Sequence, residues 1–204
     1  MSYNTDKYEI IPSALSKDMA AFCFNYLLLK RRAVKYMIET KHIKNKDHPK
    51  TTYGHFTDPQ VMGVYSCYAD PVIETLLMKL LSKIQIITRT DLVPCYGYTR
   101  LYEKGAILPH HIDRKSCEVS TTLHLGGDPW IMYLVFKKKT IEINLTPGDM
   151  LVYDGASIRH GRHRFTGEAH GQAFLHYNNI KGKWGKKNQF DKRPCLGLPL
   201  IFRK

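Results

Sequence analysis

Hydrophobic positions change their period once along this chain, and the change divides it. Before about residue 92 the apolar side chains recur at helical spacing, and beyond it they alternate over short stretches. Ser16 suits the N-cap of a helix whose apolar positions Met19, Phe22, Cys23, Tyr26 and Leu27 follow that spacing. Asp70-Pro71 is a sharper start, a capping side chain followed by proline at the first helical position, and the helical run continues over Val72–Gln85. These two helices are expected to support one face of a sheet. Residues 41–60 between them are polar and rich in His, Lys, Thr and Pro, so they read as a loop or an irregular extension.

From Cys95 onward the pattern predicts strands at Tyr98–Tyr102, Glu118–Leu125, Trp130–Phe136, Thr140–Leu145, Met150–Tyr153 and Gln172–Tyr177. Turn signals at Gly105, Gly126–Pro129, Lys137–Lys139 and Pro147-Gly148 separate them. Many short strands after a helical start predict a mostly β fold with flanking helices packed outside.

At 204 residues and 43% hydrophobic content the chain can bury one core, so a single domain is expected over 1–204. It divides into helical support (1–92), β core (93–180) and a basic tail (181–204). The tail is rich in Gly and Lys and is either folded back over the β core or mobile. No apolar run reaches membrane-spanning length, and Met1–Lys7 carries no signal-peptide pattern, so no membrane partner is expected. Five scattered cysteines without a Cys-x-x-Cys pair point to reduced thiols in a cytoplasmic setting. The net charge of +13 is concentrated. Residues 30–50 and 181–204 each hold eight Lys/Arg, and the rest of the chain is balanced. Such segments either attract polyanions or serve as solvated surface.

His111 and Asp113 stand two residues apart at a strand end, so their side chains point the same way. His160, from a distant strand, can close a triangular face around a metal. Two imidazoles and one carboxylate on one face leave up to three coordination positions open, a set suited to Fe(II). Neighbouring histidines compete for these roles. His110 has the wrong spacing, because the residue two further on is Ile112. His163 is the alternative to His160. His124 and His176 lie in strand-like runs as supporting or core residues.

In order and context this set resembles the Fe(II)/2-oxoglutarate-dependent dioxygenases, specifically their prolyl-4-hydroxylase-like branch. The resemblance covers residues 98–177. It rests on Tyr102, Gly105 and the His111-Ile112-Asp113 strand, on Pro147-Gly148-Asp149 leading to Tyr153 and His160, and on Gly161-Arg162 followed by Gln172, Phe174, His176 and Tyr177. It implies a double-stranded β-helix (jelly-roll) core, with His111, Asp113 and His160 as catalytic metal ligands. It also implies Fe(II), 2-oxoglutarate and O2 as cofactor and co-substrates, with ascorbate as an optional reductant. Tyr102 matches the tyrosine that binds the distal carboxylate of 2-oxoglutarate in such enzymes. The cation that usually accompanies it is absent from its common place, which Ala169 and His170 occupy. Arg162 is the first candidate to replace it, with His170 and Arg100 as alternatives. Arg114, next to Asp113, either meets substrate, braces the carboxylate or is a surface residue.

The expected reaction is hydroxylation of a C–H bond in a prolyl or other protein side chain, or in a free amino acid or small amine. The partner is therefore a protein, peptide or small molecule, with weak non-specific nucleic-acid binding through the basic segments. Oxidation or demethylation of a nucleic-acid base by the same chemistry is the alternative within enzymes. A cupin-like barrel that binds metal without turnover is the alternative outside them. The sequence does not define an oligomeric state.

Overall fold

The structure, a computed structural model, describes residues 2–204; Met1, part of the amino-terminal stretch considered above, lies outside them. A short helix α1 (Tyr3–Asp6) and strand β1 (Tyr8–Ile11) precede the long helix α2 (Lys17–Glu39). Then come β2 (Tyr65–Tyr68), α3 (Pro71–Thr88), β3 (Leu92–Glu103), β4 (Leu108–His111), β5 (Val119–Gly127), β6 (Met132–Phe136) and β7 (Lys139–Ile143). Strands β8 (Met150–Asp154), β9 (Arg159–Arg162) and β10 (Ala169–Asn179) complete the sheets, and a one-turn helix α4 (Gly185–Asn188) begins the tail.

The strands form two antiparallel sheets, a major one in the order β1-β8-β5-β10-β3-β2 and a minor one in the order β4-β9-β6-β7. This is the mostly β fold expected, with a jelly-roll core. Alternation along the central strands assigns their two faces. Leu123, Leu125, Ala173, Leu175 and Tyr177 pack with Cys23 and Leu27 of α2 and Ile73, Leu77 and Ile84 of α3. The intervening residues Ser120, Thr122, His124, Gln172 and His176 point the other way and are also buried. A one-residue slip would exchange the two sets, so the register is strongly specified.

Both helices are fixed to the sheet by particular contacts. Asp70 caps α3 by accepting from the amides of Val72 and Ile73, while its second oxygen accepts from Tyr26 and pairs with Lys30 of α2. Gly126 and Gly171 lie opposite each other on β5 and β10, and a Cβ on either would stand within 2.8 Å of Phe24 ring carbons. The paired glycines form the recess that holds Phe24 of α2.

Several expectations change. The buried stripe of α2 is Ala20, Cys23, Leu27 and Val34, whereas Met19 and Phe22 face solvent, because the sheet meets the helix on an adjoining face. β3 begins at Leu92 instead of Tyr98, β1 and β2 are additional short strands, and β4 and β9 are the strands expected to carry His111 and His160. β1 and β2 lie within the region expected to be helical support and form the edges of the major sheet. Residues 41–60 are irregular, as expected, apart from a 3-10 turn at Asn45–Lys50.

The tail folds back. Asp191 is fully buried, accepting from Tyr68 and pairing with Arg114, and Arg193 forms a buried ion pair with Glu74 of α3. No helix among the described residues is long and apolar enough to cross a membrane. The five cysteines are all free, four of them buried and Cys195 exposed.

Candidate metal centre and anion pocket

β4 and β9 pair with His111 directly opposite His160, so the two imidazoles project together from the minor sheet. Their ring centroids lie 4.3 Å apart. Asp113 stands just beyond β4, its amide donating to the Gly155 carbonyl at 2.9 Å. Asp113 Oδ1 is 3.5 Å from His111 Nε2 and 3.6 Å from His160 Nε2. Ligand atoms about 2.1 Å from a metal and on one octahedral face stand about 3 Å apart, so slight contraction would complete a three-ligand site.

The second ring nitrogen of each histidine is already engaged. His111 Nδ1 lies 2.8 Å from the Pro109 carbonyl and His160 Nδ1 lies 2.9 Å from the Ile158 carbonyl. A carbonyl only accepts, so each Nδ1 carries the proton and each Nε2 presents a lone pair to the shared centre. The partner left open between Asp154 and a backbone carbonyl is thus a carbonyl in both cases. Burial alone would raise the Asp113 carboxyl. The facing His111, the neighbouring His160 and His176 and the Ser120 hydroxyl more than offset this and bring it down to about 2. Burial lowers His160, which keeps its imidazole neutral.

The triad lines a cavity of about 250 Å³, walled by both sheets. Arg162 lies on the same face of β9 as His160, two residues deeper, and also lines it. The Arg162 side chain is buried with no carboxylate partner; its guanidinium lies over the Trp130 ring at 5.0 Å and donates to the Trp130 carbonyl. Burial lowers its pKa to about 10, so it stays charged at neutral pH. Its Nε has no hydrogen-bond partner. Gln172 on β10 lines the same cavity; Thr122 satisfies its oxygen at 2.9 Å, while Nε2 has no partner. A buried polar group without a partner costs about 1–3 kcal/mol. Two such donors on the wall of one cavity form a receptor for an anionic acceptor group, which tests favourably the fit of a dicarboxylate reaching from the metal face.

The other anchor candidates are placed differently. Arg100 lines the cavity but pairs with Asp58 at 2.8 Å and donates to Gln60, so its charge is matched. His170 is buried outside the cavity lining, stacked on His124 at 4.4 Å and held neutral by burial. Tyr102 is fully buried, receives a hydrogen bond from Arg100 and packs edge-on to Trp130, also outside the lining. His110 and His163 are exposed on the outer side of the minor sheet, their rings 6.2 Å apart, which removes His163 from the metal face. Arg114 lines the cavity edge, stacks over Tyr96 at 4.4 Å and pairs with Asp191 rather than bracing Asp113.

Sequence reasoning missed Ser120, Tyr153 and Gly155 as parts of the site. Ser120 donates to Asp113 Oδ2 at 2.8 Å, and the Tyr153 hydroxyl lies 3.4 Å from the same oxygen. A Cβ on Gly155 would stand 2.6 Å from Asp113 Oδ2, so only glycine leaves the carboxylate its space. Gln172 was visible only as part of a motif.

No protein-family profile and no curated protein matches the sequence. Solved structures do match. A Pseudomonas putida prolyl-4-hydroxylase superposes with TM-score 0.59 at 14% identity, over 87% of this chain and 95% of that one. The viral collagen prolyl hydroxylase of Paramecium Bursaria Chlorella virus-1, in its 2OG complex, gives 0.56 at 13% identity, over 85% and 96%. HygX from Streptomyces hygroscopicus, with nickel, 2-oxoglutarate and hygromycin B bound, gives 0.59 at 14% identity, over 88% and 85%. The chain therefore has the fold of the 2OG-Fe(II) oxygenases.

Proposed function

We propose that residues 1–204 form a single Fe(II)- and 2-oxoglutarate-dependent dioxygenase domain that hydroxylates a C–H bond. The observation that carries this reading is the meeting, in one cavity, of the His111–Asp113–His160 face with the unmatched guanidinium of Arg162. His111, Asp113 and His160 would hold the iron, and Arg162 with Gln172 would bind the distal carboxylate of 2-oxoglutarate. Bound together, Fe(II), 2-oxoglutarate and O2 supply the oxidation, in which 2-oxoglutarate loses CO2 to give succinate, one oxygen atom enters succinate and the other the substrate. The chain's own part is to present the Nε2 atoms of two imidazoles and one ionised carboxylate, to orient the co-substrate through its far end, and to exclude water with walls from both sheets. Four buried thiols and the need for ferrous iron fit a reducing, cytoplasmic setting.

The same cavity is also walled by Tyr68, Tyr96, Tyr98 and Phe174. Apart from Arg162, its cations are matched, Arg100 by Asp58 and Arg114 by Asp191. Aromatic faces without unmatched charge favour an uncharged aliphatic group over a phosphodiester. This supports a prolyl or other protein side chain, or a free amino acid, as substrate. Several cations of the basic segments are likewise paired within the fold, namely Lys30, Arg31, Lys181, Arg193 and Arg203. The remaining Lys/Arg of these segments support a weak, sequence-blind grip on nucleic acid.

Calorimetric titration of 2-oxoglutarate into the Mn(II)-loaded protein tests the reading. Binding is expected only with metal present, and is expected to vanish in His111→Ala and Asp113→Ala while their unfolding midpoints remain close to that of the parent. A metal-loaded protein that takes up no 2-oxoglutarate would remove the proposal. Succinate release over peptides, amino acids and oligonucleotides then distinguishes the substrate classes.

A further inference from the structure

The two carboxylate oxygens of Asp113 have different surroundings. Oδ1 faces both imidazoles, at 3.5 Å and 3.6 Å. Oδ2 faces the major sheet, where Ser120 Oγ lies 2.8 Å away. Ser120 is itself 3.0 Å from His176 Nδ1 and 3.0 Å from the Cys117 carbonyl. One hydroxyl has one proton to give, and the charged carboxylate is the strongest of its acceptors. His176 Nδ1 can then be satisfied only by donating to Ser120, which makes it the protonated nitrogen. The resulting chain runs from His176 Nδ1–H to Ser120 Oγ–H to Asp113 Oδ2.

We propose that Ser120 and His176 are a positioning pair that holds Asp113 in a one-oxygen pose, with Oδ1 free for the metal and Oδ2 withheld from it. This rests on the iron-site reading above and extends it to two residues outside the proposed metal-ligand and co-substrate sets. The pair sits on β5 and β10, adjacent central strands, and both side chains are buried. Gly155 closes the other side: a Cβ there would meet Ser120 Oγ at 2.3 Å and Asp113 Oδ2 at 2.6 Å. The pose matters chemically. An octahedral metal has six positions. Two imidazoles and a carboxylate bound through both oxygens would fill four, and a chelating 2-oxo acid would take the rest, leaving no position for O2. Binding through Oδ1 alone keeps three open.

Co(II) is the probe, titrated into the full-length protein with its ligand-field spectrum recorded. Ser120→Ala and His176→Phe are expected to weaken Co(II) binding about 10–100-fold, the range for loss of a group that orients a metal ligand, and to change the spectrum as the carboxylate turns. 2-Oxoglutarate affinity of the Co(II)-loaded variants should fall as well. His176→Asn, which keeps an N–H near the place of Nδ1, should restore most of the affinity and the parent spectrum. A pair that only fills space would respond to side-chain volume and show no such rescue. Parent affinity and spectrum in Ser120→Ala, beside a His111→Ala protein that binds no Co(II), would overturn the positioning role and leave the iron site standing. Parent-like Co(II) binding in His111→Ala would overturn the iron site itself, and the inference with it.

Discussion

Arg114 and Asp191 join the loop of the candidate metal centre to the carboxyl-terminal tail across 77 positions of sequence, with the guanidinium donating to the carboxylate at 2.9 Å. Asp191 also accepts from the Tyr68 hydroxyl at 2.7 Å. It does so from an unfavourable backbone: Phe190, Asp191 and Lys192 have φ of 51°, 53° and 66°, three consecutive left-handed residues without a glycine. Each costs roughly 1–2 kcal/mol, so the turn persists because the buried carboxylate and the Arg193–Glu74 pair hold it. The tail thereby forms the wall behind the cavity edge.

Asp191→Ala should therefore release the tail. Hydrogen bonds to a charged group contribute about 1.5–3 kcal/mol, and half-exposed Arg114 can regain water, so a loss of about 2 kcal/mol is expected. Urea denaturation would measure it, and limited proteolysis should find new cleavage after residue 184. An unchanged midpoint with an uncleaved tail would contradict this account of the turn.

Arg162→Ala should raise the 2-oxoglutarate requirement by two orders of magnitude or more while leaving metal affinity nearly unchanged. Removing one partner of a desolvated ion pair costs about 3–5 kcal/mol. Gln172→Leu, which removes a single neutral donor, should cost on the order of 1 kcal/mol. Co-substrate titrations at saturating metal would measure both. A parent-like requirement in Arg162→Ala would move the anchor to Arg100.

The candidate metal face was legible as a cluster because its logic is local: Asp113 follows two residues after the strand end at His111, and His160 follows a turn with recognisable chemistry. The proposed anchor was not, because the choice among Arg162, His170 and Arg100 depends on which is already matched. Asp58, which matches Arg100, lies 42 positions away. Ser120, Thr122 and His124 fall on one side of β5 just as the wet face of a strand would, yet all three are buried. Only the opposing minor sheet makes them interior. Its strands β4 and β9 are four residues each and rich in His and Arg, so no hydrophobic alternation marks them, and only the spacing of His111, Asp113 and His160 pointed to strands there. The α2 stripe was misassigned for a related reason, since Met19 and Phe22 have the right spacing for a face that nothing in the fold covers.

Gly155→Ala tests how tightly the carboxylate is held without changing any polar group. Its Cβ would stand 2.3 Å from Ser120 Oγ, 2.6 Å from Asp113 Oδ2 and 2.6 Å from the Cys117 carbonyl, and a backbone oxygen cannot yield easily. Overpacking of this kind costs typically about 1–3 kcal/mol. The expected result is weaker Mn(II) binding together with a lower unfolding midpoint. Parent-like metal binding would mean that the loop carrying Asp113 shifts freely.

The metal-free protein should lose stability as pH falls below the ordinary histidine range. Burial lowers His124, His160 and His170, and lowers His176 to about 4 from 6.5. The folded state then binds fewer protons than the unfolded chain between those values. Stability is therefore full above pH 6.5 and drains away as pH falls toward 4. For His176 the shift corresponds to about 3 kcal/mol at 1.36 kcal/mol per pKa unit. Asp113, lowered to about 2 from 3.8, adds a further loss only below pH 4. Urea midpoints across pH 4–8 should fall on the acid side, and His176→Asn, which cannot take up a proton there, should flatten part of the slope. A midpoint independent of pH across that window would show that these histidines titrate as they do in water. The buried, neutral His160 on which the proposed metal site depends would then be wrong.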